Sequence, residues 1–333
     1  MRKLKIGIVA DPIDCFDSKA ETTFFLMREA ADRGHETWIM ELKDLALGEK
    51  GPWASAKRVV VTQKMGIFSW EVVDEKEISI SKFDAVFLRK DPPVDLEYLH
   101  HLMILEKIPP DPPFSKGGTG ENSLMNYPPL KKGGRGDLTG PLFINSPSGI
   151  LRANEKIFPL QFPGLSPPTL VSMDRTKLTA FIRLHKKTVI KPLHLSGGRG
   201  IFIAKGSIQP PRHYVMAQKF IPEAVKGDKR ILLLDGKPLG AFLRIPAKGN
   251  FRGNLHQGAK WVKALVTPHE KRIIQRLKPA LRAHGLPFVG LDLLGKFVSE
   301  INTTSPMGIR EINQLDHSQI EKNCLNWLES RVL

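Results

Sequence analysis

The residues best equipped for chemistry lie near the C-terminus, where the chain reads GLDLLGKFVSEINTTSP over 290–306. Two strand-like apolar runs there carry Asp292, Glu300 and Asn302. An isolated carboxylate in such a setting is costly, because a desolvated charge needs a partner. Glu300 and Asn302 are two apart, so on a strand both side chains point to one face. If the chain turns around 295–297, Asp292 comes opposite Glu300 and joins that face. Two carboxylates and an amide oxygen are hard donors that suit Mg²⁺, which would also hold nucleotide phosphates. The alternative is a solvated sheet face with ordinary ion pairs, and spacing alone leaves both readings standing.

A second constellation is VIKPLHLSGGRGI, over 189–201. Lys191 ends a strand pattern, and Gly197, Gly198 and Gly200 make a turn whose backbone amides can approach an anion closely. No helix pattern follows, so the turn is neither a Rossmann turn nor a P-loop, and a plain hairpin is the bland reading. Lys156 and Lys191 ahead of the loop, and the acidic residues downstream, favour an anion site. Arg230, Arg244, Arg252 and Asn254 can grip carboxylate or phosphate oxygens by forked hydrogen bonds. Lys226 and Lys248 read as wet surface. Arg89 and Asp91 follow the strand FDAVFLR, at the end where such sheets bind ligands, although a surface ion pair would also account for them. The 10 histidines show no HExxH or similar spacing, so they receive no metal or base role.

These residues need a scaffold. The first hundred residues alternate in the α/β manner, with KIGIVA a buried strand, a helix ending at Gly34, and ETWIMEL the next strand. Ser18 and Glu21 have capping-box spacing at the start of that helix. Residues 109–140 change character, with DPPFSKGGTGE and YPPLKKGGRGD as two copies of one Pro/Gly pattern. Such composition cannot bury enough apolar surface to offset ordering, so the segment is expected to be a mobile insertion without a catalytic role. LFINSP resumes strand-like structure. Beyond it come a helix capped by Asp174, a strand–glycine turn–strand unit, HYVMAQKFIP as a strand, and a hairpin turning at Asp235 and Gly236. PHEKRIIQRLKPALRAHG and the terminal QIEKNCLNWLESRVL read as helices.

The bulk composition is that of a globular protein with two or three domains. Hydrophobic residues make up 41% and charged residues 25% of the 333-residue chain. The basic, then briefly apolar start imitates a signal peptide, but Asp11, Pro12 and Asp14 break it too early. No apolar run is long enough to span a bilayer. Two cysteines, Cys15 and Cys324, are too few for a disulfide framework and favour a reducing cytoplasm. The net charge of +16 is spread along the chain without any nucleic-acid-binding motif, so it points to anionic small molecules and a solvated surface.

The order of motifs resembles the ATP-grasp ligases, and most closely the bacterial glutathione synthetases. KIGIVADPI, LRKDPP, NEKIF, VIKPL, MAQKFIP, GDKR, RIPAKGNFRGN, FVGLDLLG, SEINTTSP and GIREI carry that resemblance in sequence order. It implies an α/β and α+β chain: a Rossmann-like pre-ATP-grasp domain over 1–150, a central ATP-binding lobe over 151–225, and a C-terminal ATP-grasp lobe over 226–333. It also implies that Lys156, Lys191, Ser196, Gly197, Gly198, Gly200, Gln218, Lys219, Phe220 and Ile221 bind ATP. Asp292, Glu300 and Asn302 would hold Mg²⁺ or Mn²⁺. Arg89, Arg230, Arg252, Asn254, Ser305 and Pro306 would hold the substrates, with Arg230, Arg252 and Asn254 nearest the reaction. The implied reaction joins γ-glutamylcysteine to glycine through an acyl phosphate, in a homo-oligomer, tetrameric by resemblance, with no nucleic-acid or membrane partner. The rivals are a related ligase with another acid or amine, a nucleotide-binding homologue without turnover, and a basic nucleic-acid binder. The loop reads HLSGGRG where the family usually has an acidic residue and a glycine, and the stretch from Ala204 to His213 is short for a helix.

Overall fold

The computed structural model describes residues 2–106, 140–195, 197–246 and 260–333. The 109–140 segment, apart from residue 140, lies outside these described residues, as do Ser196, Arg252 and Asn254.

The N-terminal sheet contains β1 (Lys5–Ala10), β2 (Glu36–Met40), β3 (Leu45–Gly48), β4 (Gly51–Lys64), β5 (Ile67–Ser79), β6 (Ala85–Arg89) and β7 (Leu142–Ile144). Its order is β3-β4-β2-β1-β6-β7, with β5 paired to β4. β1, β2, β6 and β7 run parallel, and β1 and β6 are buried along nearly their whole length, as a sheet covered on both faces requires. Helix α1 (Thr22–Asp32) covers one face through Phe24 and Met27, while α2 (Leu96–Glu106) and α3 (Pro147–Arg152) pack together. The expected capping box at Ser18 is absent. Glu21 is itself the N-cap, and its carboxylate accepts from the Thr23 amide at 3.0 Å, so Ser18 stays in the preceding turn. The long β4–β5 hairpin was not anticipated from the sequence.

The central sheet has order β10-β9-β11-β8, built from β8 (Thr169–Ser172), β9 (Thr188–Pro192), β10 (Phe202–Ala204) and β11 (Val215–Lys219). Helix α4 (Arg175–His185) is capped by Asp174, which accepts from the Lys177 amide at 3.0 Å. Leu178 and Ile182, one turn apart, bury against Ile190, Val215 and Ala217. Strand alternation then sends Lys191 and Gln218 to the opposite face. No helix occupies the stretch between β10 and β11.

The C-terminal sheet is antiparallel, with order β14-β13-β12-β15-β16. It is built from β12 (Asp228–Leu234), β13 (Lys237–Ile245), β14 (Lys260–Lys263), β15 (Phe288–Leu294) and β16 (Phe297–Asn302). Helix α5 (Pro268–Ala283) begins with a Thr267–Glu270 capping box and lays Ile273, Ile274, Leu277 and Leu281 on one face of the sheet. There it meets Ile231, Leu233, Val289, Leu291 and Ile301. Each fully buried aliphatic side chain of this kind contributes roughly 1.5–3 kcal/mol. Helices α6 (Ile309–Asp316) and α7 (Glu321–Val332) return the chain to α1. No helix among the described residues is long and apolar enough to cross a membrane.

Candidate active site

With one face of the C-terminal sheet committed to α5, the other packs Leu232, Phe242 and Phe288 with Ile309 and Ile312 of α6 and carries charge beyond them, at 228, 230, 244 and 292. β12 sets Asp228 opposite Arg244 of β13 and Arg230 opposite Asp292 of β15. Asp292 in turn faces Glu300, and Gly290 faces Asn302. The expected register of 292 against 300 is therefore present. Just beyond this pair Ser299 is an extra residue that bulges β16, after which pairing resumes at Leu293 and Val298, a common device beside functional sites.

Asp292 is the electrostatic centre of this face. Arg230 grips it with Nε at 2.5 Å and a terminal nitrogen at 2.9 Å, and Arg244 lies 2.9 Å away. Asn302 donates its amide to Asp292 Oδ2 at 3.1 Å. Burial would raise the Asp292 pKa, but the two arginines outweigh it and hold the carboxyl well below its ordinary range. Asp228 goes the other way, since burial dominates there despite its pairing with Arg244. Gly290 matters for this arrangement, because a Cβ would stand 3.3 Å from the Arg230 guanidinium.

The connector after α3 brings the lysine. The Ile301 amide donates to the Glu155 carbonyl at 3.0 Å, so residue 156 comes level with β16. Lys156 Nζ then sits 3.6 Å from Glu300 and donates to the Leu195 carbonyl of the glycine loop at 2.7 Å. Lys191, from the open face of the central sheet, donates to Gln218 Oε1 at 3.0 Å. Its pKa is lowered by burial first, and Glu300, Asp228 and Asp292 only partly offset that loss. The two sheets thus present their charged faces to each other.

Gly197, Gly198 and Gly200 take φ of 64°, 74° and 67°, a conformation that favours glycine, and the loop folds back on Pro192. Gln218, Phe220 and Ile221 are buried at the end of β11, whereas Lys219 is exposed. Arg89, the last residue of β6, is buried and donates to Thr23, to Glu21 and to the Pro306 carbonyl at 3.1 Å. Arg230 donates to the next carbonyl, of Met307, at 2.9 Å. Ser305 and Pro306 therefore sit in a loop held by arginines of two different sheets. A cavity of about 200 Å³ opens beside them, lined by Val94, Glu155, Lys156, His194, Leu195 and Thr304.

Two residues that sequence reasoning passed over hold this loop. Glu155 Oε1 accepts from the Thr303 amide (3.0 Å), the Thr304 amide (3.1 Å) and the Thr304 hydroxyl (2.8 Å). Asn145 donates to the Phe288 and Thr303 carbonyls at 2.7 Å and accepts from the Phe288 amide at 2.9 Å. Their only signal in the sequence was their place inside the NEKIF and LFINSP motifs.

Asp292, Glu300 and Asn302 share one sheet face and are hard oxygen donors of the type that suits Mg²⁺, although the Asp292 oxygens are here taken by Arg230, Arg244 and Asn302. Lys156 and Lys191 beside them suit phosphate oxygens.

Residues 4–114 match the model of the prokaryotic glutathione synthetase N-terminal domain, and residues 155–317 match that family's ATP-grasp domain. This chain belongs to the prokaryotic glutathione synthetases. Within the family, the glutathione synthetase of Synechocystis sp. is 36% identical, over 98% of this chain and all of that protein. That of Vibrio parahaemolyticus is 36% identical, over 99% of each. Solved structures sharing the ATP-grasp fold include the ligase PsnB (TM-score 0.58, 15% identity, 99% of each chain). D-cycloserine synthetase DcsG is another, with TM-score 0.59 and 12% identity over 97% of this chain and 99% of that one. The chain is accordingly an ATP-dependent ligase that forms a C–N bond.

Proposed function

We propose that this enzyme joins γ-glutamylcysteine to glycine through an acyl phosphate, with Mg²⁺ as the metal. The observation that carries the reading is the meeting of Lys156 and Lys191 with the Asp292–Glu300–Asn302 face.

The C-terminal carboxylate of γ-glutamylcysteine attacks the terminal phosphorus of ATP, the bond to the β–γ bridging oxygen breaks, and ADP leaves. The glycine amine then attacks the acyl carbon, gives up a proton, and phosphate departs as the amide forms. Phosphoryl transfer asks the protein mainly for position and charge stabilisation. Lys156 and Lys191 neutralise phosphate oxygens, while Gln218, Lys219, Phe220 and Ile221 line the nucleotide site. Mg²⁺ held by Asp292, Glu300 and Asn302 would spread the remaining phosphate charge. Arg89, Arg230, Arg252, Asn254 and the 305–306 backbone orient the peptide. The loop of Ser196, Gly197, Gly198 and Gly200 excludes water from the acyl phosphate. The working unit is a homo-oligomer, tetrameric by family resemblance, in the cytoplasm, where the free thiols of Cys15 and Cys324 stay reduced.

The test is isotopic. With oxygen-18 in the γ-glutamylcysteine carboxylate, one labelled oxygen must appear in the released phosphate. Unlabelled phosphate would overturn the acyl-phosphate route.

A further inference from the structure

The histidines drew no role from sequence spacing, yet two of them meet at the base of the glycine loop. β9 and β11 are antiparallel, with Pro192 opposite Val215. The ladder continues one step further, the Leu193 amide donating to the Tyr214 carbonyl at 3.4 Å. One step further along the same register, just past the paired strand residues, come His194 and His213. Both are exposed, and their ring centroids lie 4.9 Å apart at 63°. Neither ring makes a hydrogen bond to the described residues, whereas His35 is bonded to Glu329 and His269 to the Lys296 carbonyl.

We propose that His194 and His213 form a cross-strand site for a borderline divalent transition metal such as Zn²⁺, separate from the oxygen-donor face. Directly opposed positions on an antiparallel ladder hold Cβ atoms ~5 Å apart, within reach of a shared ligand. Two imidazoles on one metal through bonds of ~2.0 Å place their ring centroids about 5 Å apart, which is the spacing found here. Imidazole suits Zn²⁺, Ni²⁺ and Cu²⁺, and carboxylate and amide oxygens suit Mg²⁺, so the two sites sort metals by donor chemistry. The described residues contain no cluster of three or more His, Cys, Asp and Glu able to hold a metal, so water completes the coordination. His194 also lines the cavity beside Lys156, and it opens the loop that Lys156 holds through Leu195. A metal on the pair therefore ties the loop's entry to the strand that ends in Gln218 and Lys219.

The test is Zn²⁺ binding to the full chain in excess Mg²⁺, followed by calorimetry and by the Zn²⁺-dependent rise in Tm, for wild type, His194→Asn and His213→Asn. Both side chains are exposed, so each variant is expected to keep the metal-free Tm, which checks the fold. Wild type binds one more equivalent than either variant, and each substitution weakens that equivalent at least tenfold and abolishes its Tm rise. Equal binding and equal Tm shifts in all three proteins would reduce the pair to a ring contact and overturn the site.

Discussion

Lys156 Nζ, on the connector after α3, stands 3.6 Å from Glu300 of β16, although 144 positions separate them. The same ammonium donates to the Leu195 carbonyl at 2.7 Å. One cation thus joins the glycine loop to the face proposed to hold the metal, and replacing it affects both. Lys156→Gln is expected to raise the KM for ATP about tenfold or more, since a charge-assisted phosphate contact is lost. Steady-state kinetics with ATP varied checks this, and an unchanged KM would remove Lys156 from the nucleotide site.

Glu300→Gln separates chemistry from folding. Its side chain is partly exposed and its one direct ion pair, with Lys156, is a loose 3.6 Å contact, so stability should stay within about 0.5 kcal/mol of wild type. Turnover should fall roughly 100-fold or more, the loss that several kcal/mol of missing charge stabilisation implies. Urea unfolding and kcat measured on one preparation give both numbers. Wild-type turnover would refute the metal assignment.

Asp292→Asn should damage both. It leaves Arg230 and Arg244 buried without their shared carboxylate, and breaking such a pairing costs about 3–5 kcal/mol. The Asp292 carboxyl is depressed below its ordinary 3.8, so its stabilisation is complete above that value and fades as pH falls through the folded pKa. The stability gap between wild type and variant should be full at neutral pH and shrink below about pH 4. A gap independent of pH would contradict the ion-pair account.

Glu155 gives the opposite sign. Burial first, and then nearby Glu300, raise its pKa above the ordinary 4.5. Any stabilisation from this group is complete below 4.5 and is lost as pH rises through the folded pKa. Glu155→Gln keeps the oxygen that serves Thr303 and Thr304, so the variant should fold and gain on wild type as pH rises. Glu155→Ala strands two buried amides and should cost about 2–4 kcal/mol. Denaturant titrations across the acid range distinguish the two substitutions.

The sequence was most legible where local pattern and burial agree. The stripe of Ile273, Ile274, Leu277 and Leu281 marks α5, and the Asp174 cap starts α4 where expected. The hairpin at Asp235 and Gly236 is present with both residues at positive φ. The question that Asp292 raised has a local answer: the positive charge it needs comes from Arg230 and Arg244. That pairing was hidden because it depends on register across three strands. Glu155 and Asn145 were hidden for a similar reason, since their partners lie at 303–304 and 288, far along the chain. The His194–His213 contact depends on the same kind of cross-strand pairing. The β4–β5 hairpin went unread because β5 mixes Glu, Asp and Lys among its apolar residues and lacks a clean alternation.

The most direct measurement is ADP release by the purified protein with ATP and Mg²⁺, with and without γ-glutamylcysteine and glycine. Release that requires both acid and amine, in step with tripeptide formation, is the predicted result. ATP binding without ADP release on adding that pair would contradict the account.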